Sequence, residues 1–352
     1  MYNGLLINDT SNSMHYGSIN VVKNILDACH KNGLNIIQTV LTNSNWKDEK
    51  YLNNLDNFDF VIVNGEGSMH SSKGKALLMS EAAVFFKHHH IPTFLINTVY
   101  QNNSSEIDEN MKSFTKIYCR DSISQQILDK KNIESTFVPE MIFYKNYFKD
   151  CDSKQDIDTI YSGSFYKDIT LSNYIQFLKN RENSQFITIY QKDEKVGYKQ
   201  LLGESLLLAL VNIFNLISLK FLQKMIIKNF NIRKLHRYSY DFNEFVTRIN
   251  SSKKLMTGYF HMTCFSIIAK KPFVSIESNT HKTQALLNDI KLDINKRFLD
   301  KSELNNLVEI DDFTKSELEN IELFLNESPI RIDAMFQEIY DSVDTVRKTD
   351  AK

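Results

Sequence analysis

The sequence predicts an α/β protein of two Rossmann-like domains that face one another across a cleft, with a C-terminal helix packing back. The first observation is a series of short, wholly apolar runs that alternate with helical patterns, as is typical of buried parallel strands. The second is that this series stops at a polar stretch, residues 149–156, and then begins again. The third is a long amphipathic segment, residues 314–347, which predicts the closing helix.

The first domain is expected over residues 1–150, the second over 151–313, and a helical segment over 314–352. In the first domain, strands are predicted at 4–8, 35–41, 60–64, 93–97 and 117–119, with helices at 19–31, 74–90 and 122–131. In the second, strands are predicted at 158–163, 185–190, 254–258 and 273–277, with helices at 170–181, 241–251, 260–270 and 281–289. Residues 195–237 interrupt the alternation, so we interpret them as an insertion.

The composition is that of an ordinary globular protein, with 42% hydrophobic and 24% charged residues among 352. The 42 basic and 43 acidic residues nearly cancel, which argues against a nucleic-acid partner because such a partner requires a basic surface. Cys29, Cys119, Cys151 and Cys264 lack paired spacing and are predicted to be free thiols in a reducing compartment. The N-terminus shows no basic segment followed by a long apolar one, so the expected location is the cytoplasm.

Within the insertion, the uncharged run Leu206–Leu219 is followed by a series of basic residues. One interpretation is a buried helix followed by a solvated basic helix. The other is that residues 205–237 lie on the anionic inner face of a membrane, with basic side chains at the headgroups. Both interpretations stay open at this point.

Polar residues gather where the predicted strands end, and ligands of such sheets bind beyond the carboxyl ends of the strands. Gly65, Glu66, Gly67 and Ser68 follow the third strand and form a turn before a helix. The glycines let the backbone approach a ligand, and a helix start at Ser68 would hold an anion. The simpler alternative is a turn that needs positive φ. Glu66 is poorly suited to a core and is a candidate base or sugar ligand.

Three other residues of the first domain are placed to act at this edge. Asp9 follows the first strand, and His15 precedes the first helix, where it either faces the cleft or caps the helix. Arg120 follows a strand directly, and its planar guanidinium suits phosphate or carboxylate; the alternative is a surface ion pair with an aspartate. Asp121 and Ser122 are expected to cap the next helix.

The most distinctive stretch begins at Gly258 and ends at Lys282. His261 lies at one helix start and His281 with Lys282 at the next, so they occupy successive strand ends of one sheet. Together they predict a site for a small, multiply charged anion with a proton donor beside it. Ser278 and Asn279 are further candidate ligands at the same strand end.

Three stretches, NGEGSMH from Asn64, RDSISQQIL from Arg120 and TGYFHMTCFSIIAKKPFVSIESNTHK from Thr257, resemble the polysaccharide pyruvyl transferase family. The resemblance spans about residues 5–290 apart from the insertion. It implies a glycosyltransferase-B-like fold and the transfer of pyruvate from phosphoenolpyruvate to a sugar, usually as a cyclic ketal on a lipid-linked or polymeric glycan. It also implies that His261 and Arg120 belong to the donor site. Many family members carry arginine where this chain has Tyr259.

The resemblance and the residue types together give an expected division of roles. His261 would protonate the methylene carbon of phosphoenolpyruvate, and Glu66 or Asp9, in the acceptor-side first domain, would activate a sugar hydroxyl. The donor would be bound by Arg120, Lys282 and the helix starts at Ser68 and His261. Lys282, Arg120 or His281 would take the place of the missing arginine. Closure of the cleft would complete the site.

Phosphoenolpyruvate is expected as co-substrate, with no metal and no other cofactor. The acceptor is expected to be a bacterial-type surface glycan or a lipid-linked saccharide. Two alternatives stay open: a glycosyltransferase of the same fold that uses a nucleotide-activated sugar, and a non-catalytic glycan-binding subunit. The first would place a base-binding site in the second domain.

Overall fold

The computed structural model describes residues 1–149, 151, 154–180, 182–191, 241–303 and 308–350. The chain divides into two compact units, Met1–Lys145 with Glu322–Lys352, and Asn146–Ile321. The unit boundaries thus fall after Lys145 and Ile321. The boundaries predicted from the sequence were after residues 150 and 313. The predicted insertion, with its apolar and basic runs, lies outside the described residues.

The first unit is built on a six-stranded parallel sheet of order β2-β1-β3-β4-β5-β6. Its strands are β1 (Tyr2–Asp9), β2 (Leu34–Leu41), β3 (Phe60–Glu66), β4 (Thr93–Thr98), β5 (Lys116–Cys119) and β6 (Thr136–Phe137). Its helices are α1 (Tyr16–Lys31), α2 (Glu49–Leu52), α3 (Gly74–His88), α4 (Ser105–Met111) and α5 (Ser122–Asp129). Strands β3 and β4 are buried along their whole length, because helices cover both faces of a doubly wound sheet.

The second unit carries a five-stranded parallel sheet of order β11-β10-β9-β7-β8. Its strands are β7 (Ile157–Ser164), β8 (Gln185–Ile187), β9 (Ser252–Gly258), β10 (Phe273–Ile276) and β11 (Phe298–Leu299). Its described helices are α6 (Lys167–Lys179), α7 (Phe242–Ser251), α8 (Phe260–Ile268), α9 (Lys282–Ile290) and α10 (Ile294–Arg297). The last helix of the chain is α11 (Lys315–Asp350).

Helix α11 packs back on the first unit, as the sequence predicts. Ile332, Phe336, Ile339 and Val343 are buried at helical spacing, so one apolar stripe faces the unit. Polar contacts flank the stripe: the Tyr2 hydroxyl donates to Asp344 at 2.7 Å, and the Tyr118 hydroxyl donates to Glu338 at 3.0 Å. Arg347 forms an ion pair with Asp59 at 2.7 Å. The helix therefore joins both ends of the chain to one sheet.

The predicted fold class is confirmed at the level of its elements, and each predicted strand and helix has an observed counterpart. The four cysteines are free, as expected. The elements α2, α10, β6 and β11, of two to four residues each, were not predicted because so few residues carry no periodicity, and the seven-residue helix α4 was not predicted either. Within the described ranges, no helix combines the length and apolarity that a membrane crossing needs.

A buried ion pair holds the segment before α11 in the second unit. The guanidinium of Arg297 donates from Nε and Nη2 to the carboxylate of Glu317 at 2.8 and 2.9 Å, and also to the carbonyl of Asp312 at 2.8 Å. Burial alone would raise the pKa of Glu317, but the hydrogen bonds from Arg297 and the backbone of Thr314 hold that pKa at about 2. This carboxylate therefore stays charged at acidic pH values at which an exposed glutamate takes up a proton.

Replacing Glu317 with Gln should lower the free energy of unfolding by about 3 kcal/mol at neutral pH, because it leaves the buried Arg297 charge unpaired. The folded-state pKa lies below the ordinary value of 4.5, so the contribution is present above that pH and is lost as the pH falls toward 2. Urea denaturation of both proteins at several pH values measures the difference. Asp158→Asn, in an exposed ion pair with Lys253, is the matched control and should cost far less. A Glu317→Gln deficit that does not change with pH would contradict this account.

Candidate functional site

Three asparagines link the carboxyl ends of β1, β3 and β4 in the first unit. The Asn8 side-chain amide donates to the carbonyl of Asn64 at 2.5 Å, and the Asn97 amide donates to Asn64 Oδ1 at 3.3 Å. Asn97 Oδ1 in turn accepts from the backbone N–H of Met141 at 3.1 Å. All three asparagines are buried, so we call them the asparagine ladder. Satisfied buried networks of this kind rigidify their surroundings, so the ladder gives this sheet edge a fixed polar floor.

The backbone beside the ladder is strained. Asn8, Glu66 and Asn97 have φ of 67°, 40° and 55°, which lie in the left-handed region. Asparagine tolerates that region, whereas glutamate does so only at a cost on the order of 1–3 kcal/mol. The predicted turn with positive φ is thus present, but the strain falls on Glu66. Gly65 is needed for a different reason, since a Cβ there would lie 2.4 Å from the Cβ of Thr98 on β4.

Glu66 is held in place by the start of α1. Its Oε1 accepts a hydrogen bond from the Ser18 hydroxyl at 2.8 Å, and its side chain is buried. The backbone N–H of Ser18 donates to Nδ1 of His15 at 3.3 Å, and His15 is the N-cap of α1. Ser18 therefore contacts both His15 and Glu66. His15 caps α1, which was one of its two predicted roles.

Lys75, in the first turn of α3, was not predicted as a site residue. Its Nζ donates to the Thr42 hydroxyl, which donates to Oδ1 of Asn8 at 2.7 Å, so it is tied to the asparagine ladder. Burial lowers the pKa of Lys75, and the charge of Glu66 opposes that change. A partly buried lysine and a carboxylate that interact at a strand end are typical of functional sites.

Arg120 is buried and forms an ion pair with Glu140, also buried, at 2.6 Å. The expected alternative of a surface pair with an aspartate is therefore wrong. Burial alone would lower the pKa of Arg120, but the charges of Glu140, Glu66 and Asp121 outweigh it and raise the pKa. A role of Arg120 in donor binding stays a prediction. Asp121 caps α5 as predicted, since its carboxylate accepts from the N–H of Ser124 at 2.7 Å.

The predicted helix start at Ser68 is wrong. Strand β3 continues to Glu66, and α3 begins only at Gly74, so Gly67 and Ser68 lie in a loop. The loop turns back at once, because the N–H of Ser68 donates to the carbonyl of Gly65 at 2.9 Å. An anion at Ser68 would therefore meet no helix N-terminus.

Two further residues at this edge have local partners. Asp9 is buried, and its carboxylate accepts from the N–H of Ser11 at 2.9 Å, which shapes the turn after β1. His70, which the sequence analysis did not select, is buried in the loop before α3. Its ring nitrogens lie 3.1 Å from the Ser71 hydroxyl and 3.3 Å from Lys73 Nζ. Both residues therefore order the loops that surround Glu66.

In the second unit, His261 is the second residue of α8, directly beyond β9, and only 7% of it is exposed. Gly258 ends β9, and a Cβ there would lie 2.5 Å from the Cβ of Ser164 on β7. Close packing of the two strands thus explains the glycine of the Gly-x-x-His unit. The N-cap residue of α8, Tyr259, makes no side-chain capping hydrogen bond.

The next strand end brings the remaining predicted residues together. Lys282 Nζ donates to Oδ1 of Asn279 at 2.7 Å, and the Ser278 hydroxyl donates to the same oxygen at 3.2 Å. Lys282 Nζ also lies 5.8 Å from the ring centroid of Phe260, whose ring is 5.5 Å from that of His261. Lys282 and His261 therefore flank the same aromatic side chain.

The start of α9 is suited to an anion. His281 is its N-cap residue but makes no side-chain capping hydrogen bond. Thr280 is 8% exposed, and its hydroxyl has no hydrogen-bond partner within the described part of the chain. A helix N-terminus, a lysine and a buried hydroxyl together are groups that bind phosphate or carboxylate. Among the residues that the structure describes, no group of three or more His, Cys, Asp or Glu is placed to hold a metal.

Comparison with known families places the chain. The family model of polysaccharide pyruvyl transferase matches residues 15–280. The chain belongs to the polysaccharide pyruvyl transferase family. The matched span contains Glu66, Arg120 and His261, whereas Asp9 and Lys282 lie just outside it. No curated protein matches this family member.

Solved structures give the fold. UDP-N-acetylglucosamine 2-epimerase from Rickettsia bellii is similar with a TM-score of 0.54 and 12% identity, over 99% of each chain. The corresponding epimerase from Neisseria meningitidis, bound to UDP-GlcNAc, has a TM-score of 0.48 and 12% identity, also over 99% of each chain. A functionally uncharacterized protein from Klebsiella pneumoniae has a TM-score of 0.45 and 12% identity, over 85% of this chain and 92% of its own. At such identities the likeness shows fold alone, and the predicted glycosyltransferase-B-like class is confirmed.

Proposed function

We propose that this family member transfers pyruvate from phosphoenolpyruvate to a sugar of a bacterial-type surface glycan and forms a ketal. The family match supports the transferase class. The observation that carries the proposal is the grouping of His261, Lys282 and the start of α9 in the second unit. That grouping offers a cation, helix N–H groups and a proton donor, which are the requirements of a small dianionic enol donor.

The reaction balances without a redox partner. A proton added to the methylene carbon turns it into a methyl group and leaves the neighbouring carbon electron-deficient. One sugar hydroxyl adds to that carbon, the carbon–phosphate oxygen bond breaks with its electron pair on phosphate, and a second hydroxyl closes the ring. Of the two hydroxyl protons, one replaces the proton used on the methyl group and the other leaves on phosphate.

We assign the proton delivery to His261 and the acceptance of a hydroxyl proton to Glu66. His261 is largely enclosed, which limits competition from water. Glu66 is fixed by the hydrogen bond from Ser18 and interacts with the positive charge of Lys75. Asp9 remains the second candidate base.

We assign the anionic groups of the donor to the second unit. Lys282, held by Asn279, supplies a positive charge, and Thr280 with the N–H groups of α9 supplies hydrogen bonds. Ser278 and His281 lie at the same strand end and complete the set. Arg120 would act on the donor only through its charge, because its guanidinium is already paired with Glu140.

The acceptor is proposed to be a lipid-linked or polymeric saccharide whose reacting hydroxyl is activated by Glu66. A peripheral membrane contact through residues 205–237 would place a cytoplasmic protein beside such an acceptor. That segment lies outside the described residues, so the contact stays a prediction from its charge pattern.

Incubation with phosphoenolpyruvate and capsule-type oligosaccharides tests the proposal. We expect inorganic phosphate and pyruvylated product in equal amounts, and in heavy water we expect one deuterium in the new methyl group. Pyruvate in place of phosphoenolpyruvate is the control and should give no product. Transfer of a sugar from a nucleotide sugar, with release of the nucleotide, would contradict the proposal and favour the glycosyltransferase alternative. Glycan binding without any turnover would favour the non-catalytic alternative.

A further inference from the structure

Four aromatic residues follow three neighbouring strands of the second sheet. Phe165 and Tyr166 follow β7, Tyr190 comes after β8, and Tyr259 follows β9. Strand β7 lies between the other two strands. Ser164 pairs with Gly258 in the register of β7 and β9, so Phe165 and Tyr259 leave adjacent strands at the same level of the edge. Adjacent strands are about 4.8 Å apart, so the aromatic side chains share one edge of the sheet.

Two of these side chains are exposed, Phe165 at 74% and Tyr190 at 37%, while Tyr166 and Tyr259 are half-buried. The ring centroids of Phe165 and Tyr166 are 5.7 Å apart, and those of Tyr190 and Tyr259 are 5.9 Å apart; both pairs are packed edge to face. In an edge-to-face pair, one ring supports the other and leaves a face of it open. An exposed phenylalanine held by a tyrosine at a ligand-binding edge therefore has a face to offer a ligand.

The charge near the rings favours a neutral ligand. Lys301 lies 4.8 Å from the ring centroid of Tyr166, but its ammonium is paired with Asp168 at 2.9 Å. The anion-binding groups of the second unit belong instead to the neighbouring strand end, at Lys282. The aromatic rings and the anion site thus divide this edge into an apolar part and a cationic part.

We propose that Phe165, Tyr166, Tyr190 and Tyr259, here called the aromatic edge, form a stacking subsite for a sugar ring of the glycan acceptor. This inference rests on the proposed function, because it names how that acceptor is held. A pyranose has one face of C–H groups and a rim of hydroxyls. The exposed ring of Phe165 matches the first, and the tyrosine hydroxyls match the second.

The position of Tyr259 connects the subsite with the chemistry. Tyr259 is the N-cap of α8 and lies two residues before His261. A sugar ring stacked on the aromatic edge is therefore bound by the same short segment that carries the proposed proton donor. Stacking leaves the rim hydroxyls free to react, which a ketal on two hydroxyls requires.

Saturation-transfer NMR with the whole protein and a panel of neutral gluco-, galacto- and manno-configured disaccharides tests the subsite. We expect saturation of the C–H groups on one ring face of at least one disaccharide. Phe165→Ala should weaken its binding by about tenfold, as the loss of one aromatic contact implies. Tyr190→Phe keeps the ring and should retain the stacking signal. Ile330→Ala, at a residue that is also highly exposed but lies in the first unit, is the matched control and should change nothing.

The subsite would be overturned if no disaccharide were saturated, or if Phe165→Ala left disaccharide binding unchanged. It would also be overturned if Phe165→Ala weakened the binding of uridine diphosphate while the disaccharides did not bind, since that would assign the rings to a nucleobase. The phosphoenolpyruvate assay distinguishes failure of the subsite from failure of the proposed function. Phosphoenolpyruvate turnover with an unchanged KM for the glycan in Phe165→Ala would refute the subsite and leave the function standing.

Discussion

Replacing His261 with Ala is expected to lower the turnover number with phosphoenolpyruvate by about 10²–10⁴-fold, because a general acid contributes that much to a proton-transfer step. The residue lies at the start of α8 beside Phe260, whose ring is also near Lys282, in the unit that we assign to the donor. The KM for phosphoenolpyruvate should change much less than the turnover number. Steady-state phosphate release measures both values.

A matched histidine separates this effect from a general one. His88→Ala removes an exposed histidine at the end of α3, and its activity should stay normal. Because His261 is largely buried, the thermal unfolding of its variant should be measured beside the activity. A folded His261→Ala protein with near-normal turnover would return His261 to a structural role.

Replacing Glu66 with Gln is expected to lower turnover by a similar factor of about 10²–10⁴, because the amide keeps the shape of the side chain but cannot accept a proton. The amide oxygen can still accept the hydrogen bond from Ser18, so the strained turn at Glu66 should persist. Pyruvyl transfer in the presence of saturating acceptor measures the effect. Full activity in Glu66→Gln would move the role of base to Asp9.

The positive charges around Glu66 allow a second test of the proposed site, by the pH dependence of activity. Lys75 and Arg120 are the cations that interact with it, while the charge of Arg120 is also met by Glu140 and Asp121. Burial lowers the pKa of Lys75, so its ammonium loses the proton at a lower pH than an ordinary lysine does. Lys75→Arg keeps the positive charge to high pH, so the basic limb of the pH–activity profile should move to higher pH. A folded Lys75→Arg protein with an unchanged profile would indicate that the charge of Lys75 does not act in the reaction.

The strand-end asparagines show what the sequence contained and what was missed. Three of the strands predicted in the first domain end in LLIN, VIVN and FLIN. Each is a run of three apolar residues followed by an asparagine, which is Asn8, Asn64 or Asn97. That repetition was a signal for a shared polar floor, because parallel strands end at one edge. It was overlooked because each asparagine, taken alone, resembles an ordinary turn residue.

Other contacts of the site could not be predicted from the sequence. Ser18 contacts Glu66 across 48 positions of sequence, and Glu140 is 20 positions from Arg120. Such partners follow from packing of α1 and of the segment after β6, and no local pattern encodes them. The error in the helix start at Ser68 has a local cause. The apolar pattern ends at Asn64, but β3 continues to Glu66, and the sequence does not indicate that a glutamate adopts a positive φ there. The motif around His261 was found because its strand, helix and strand are all contiguous.

The edge of the second unit around Lys282 is the proposed binding site of phosphoenolpyruvate. Isothermal titration calorimetry of the full chain with phosphoenolpyruvate, and with a panel of nucleotide sugars, tests it most directly. We predict that phosphoenolpyruvate binds and that Lys282→Met weakens its binding by about 10–100-fold, the value of a hydrogen bond to a charged group. Binding of a nucleotide sugar with no response to phosphoenolpyruvate, or phosphoenolpyruvate binding that Lys282→Met leaves unchanged, would contradict the account.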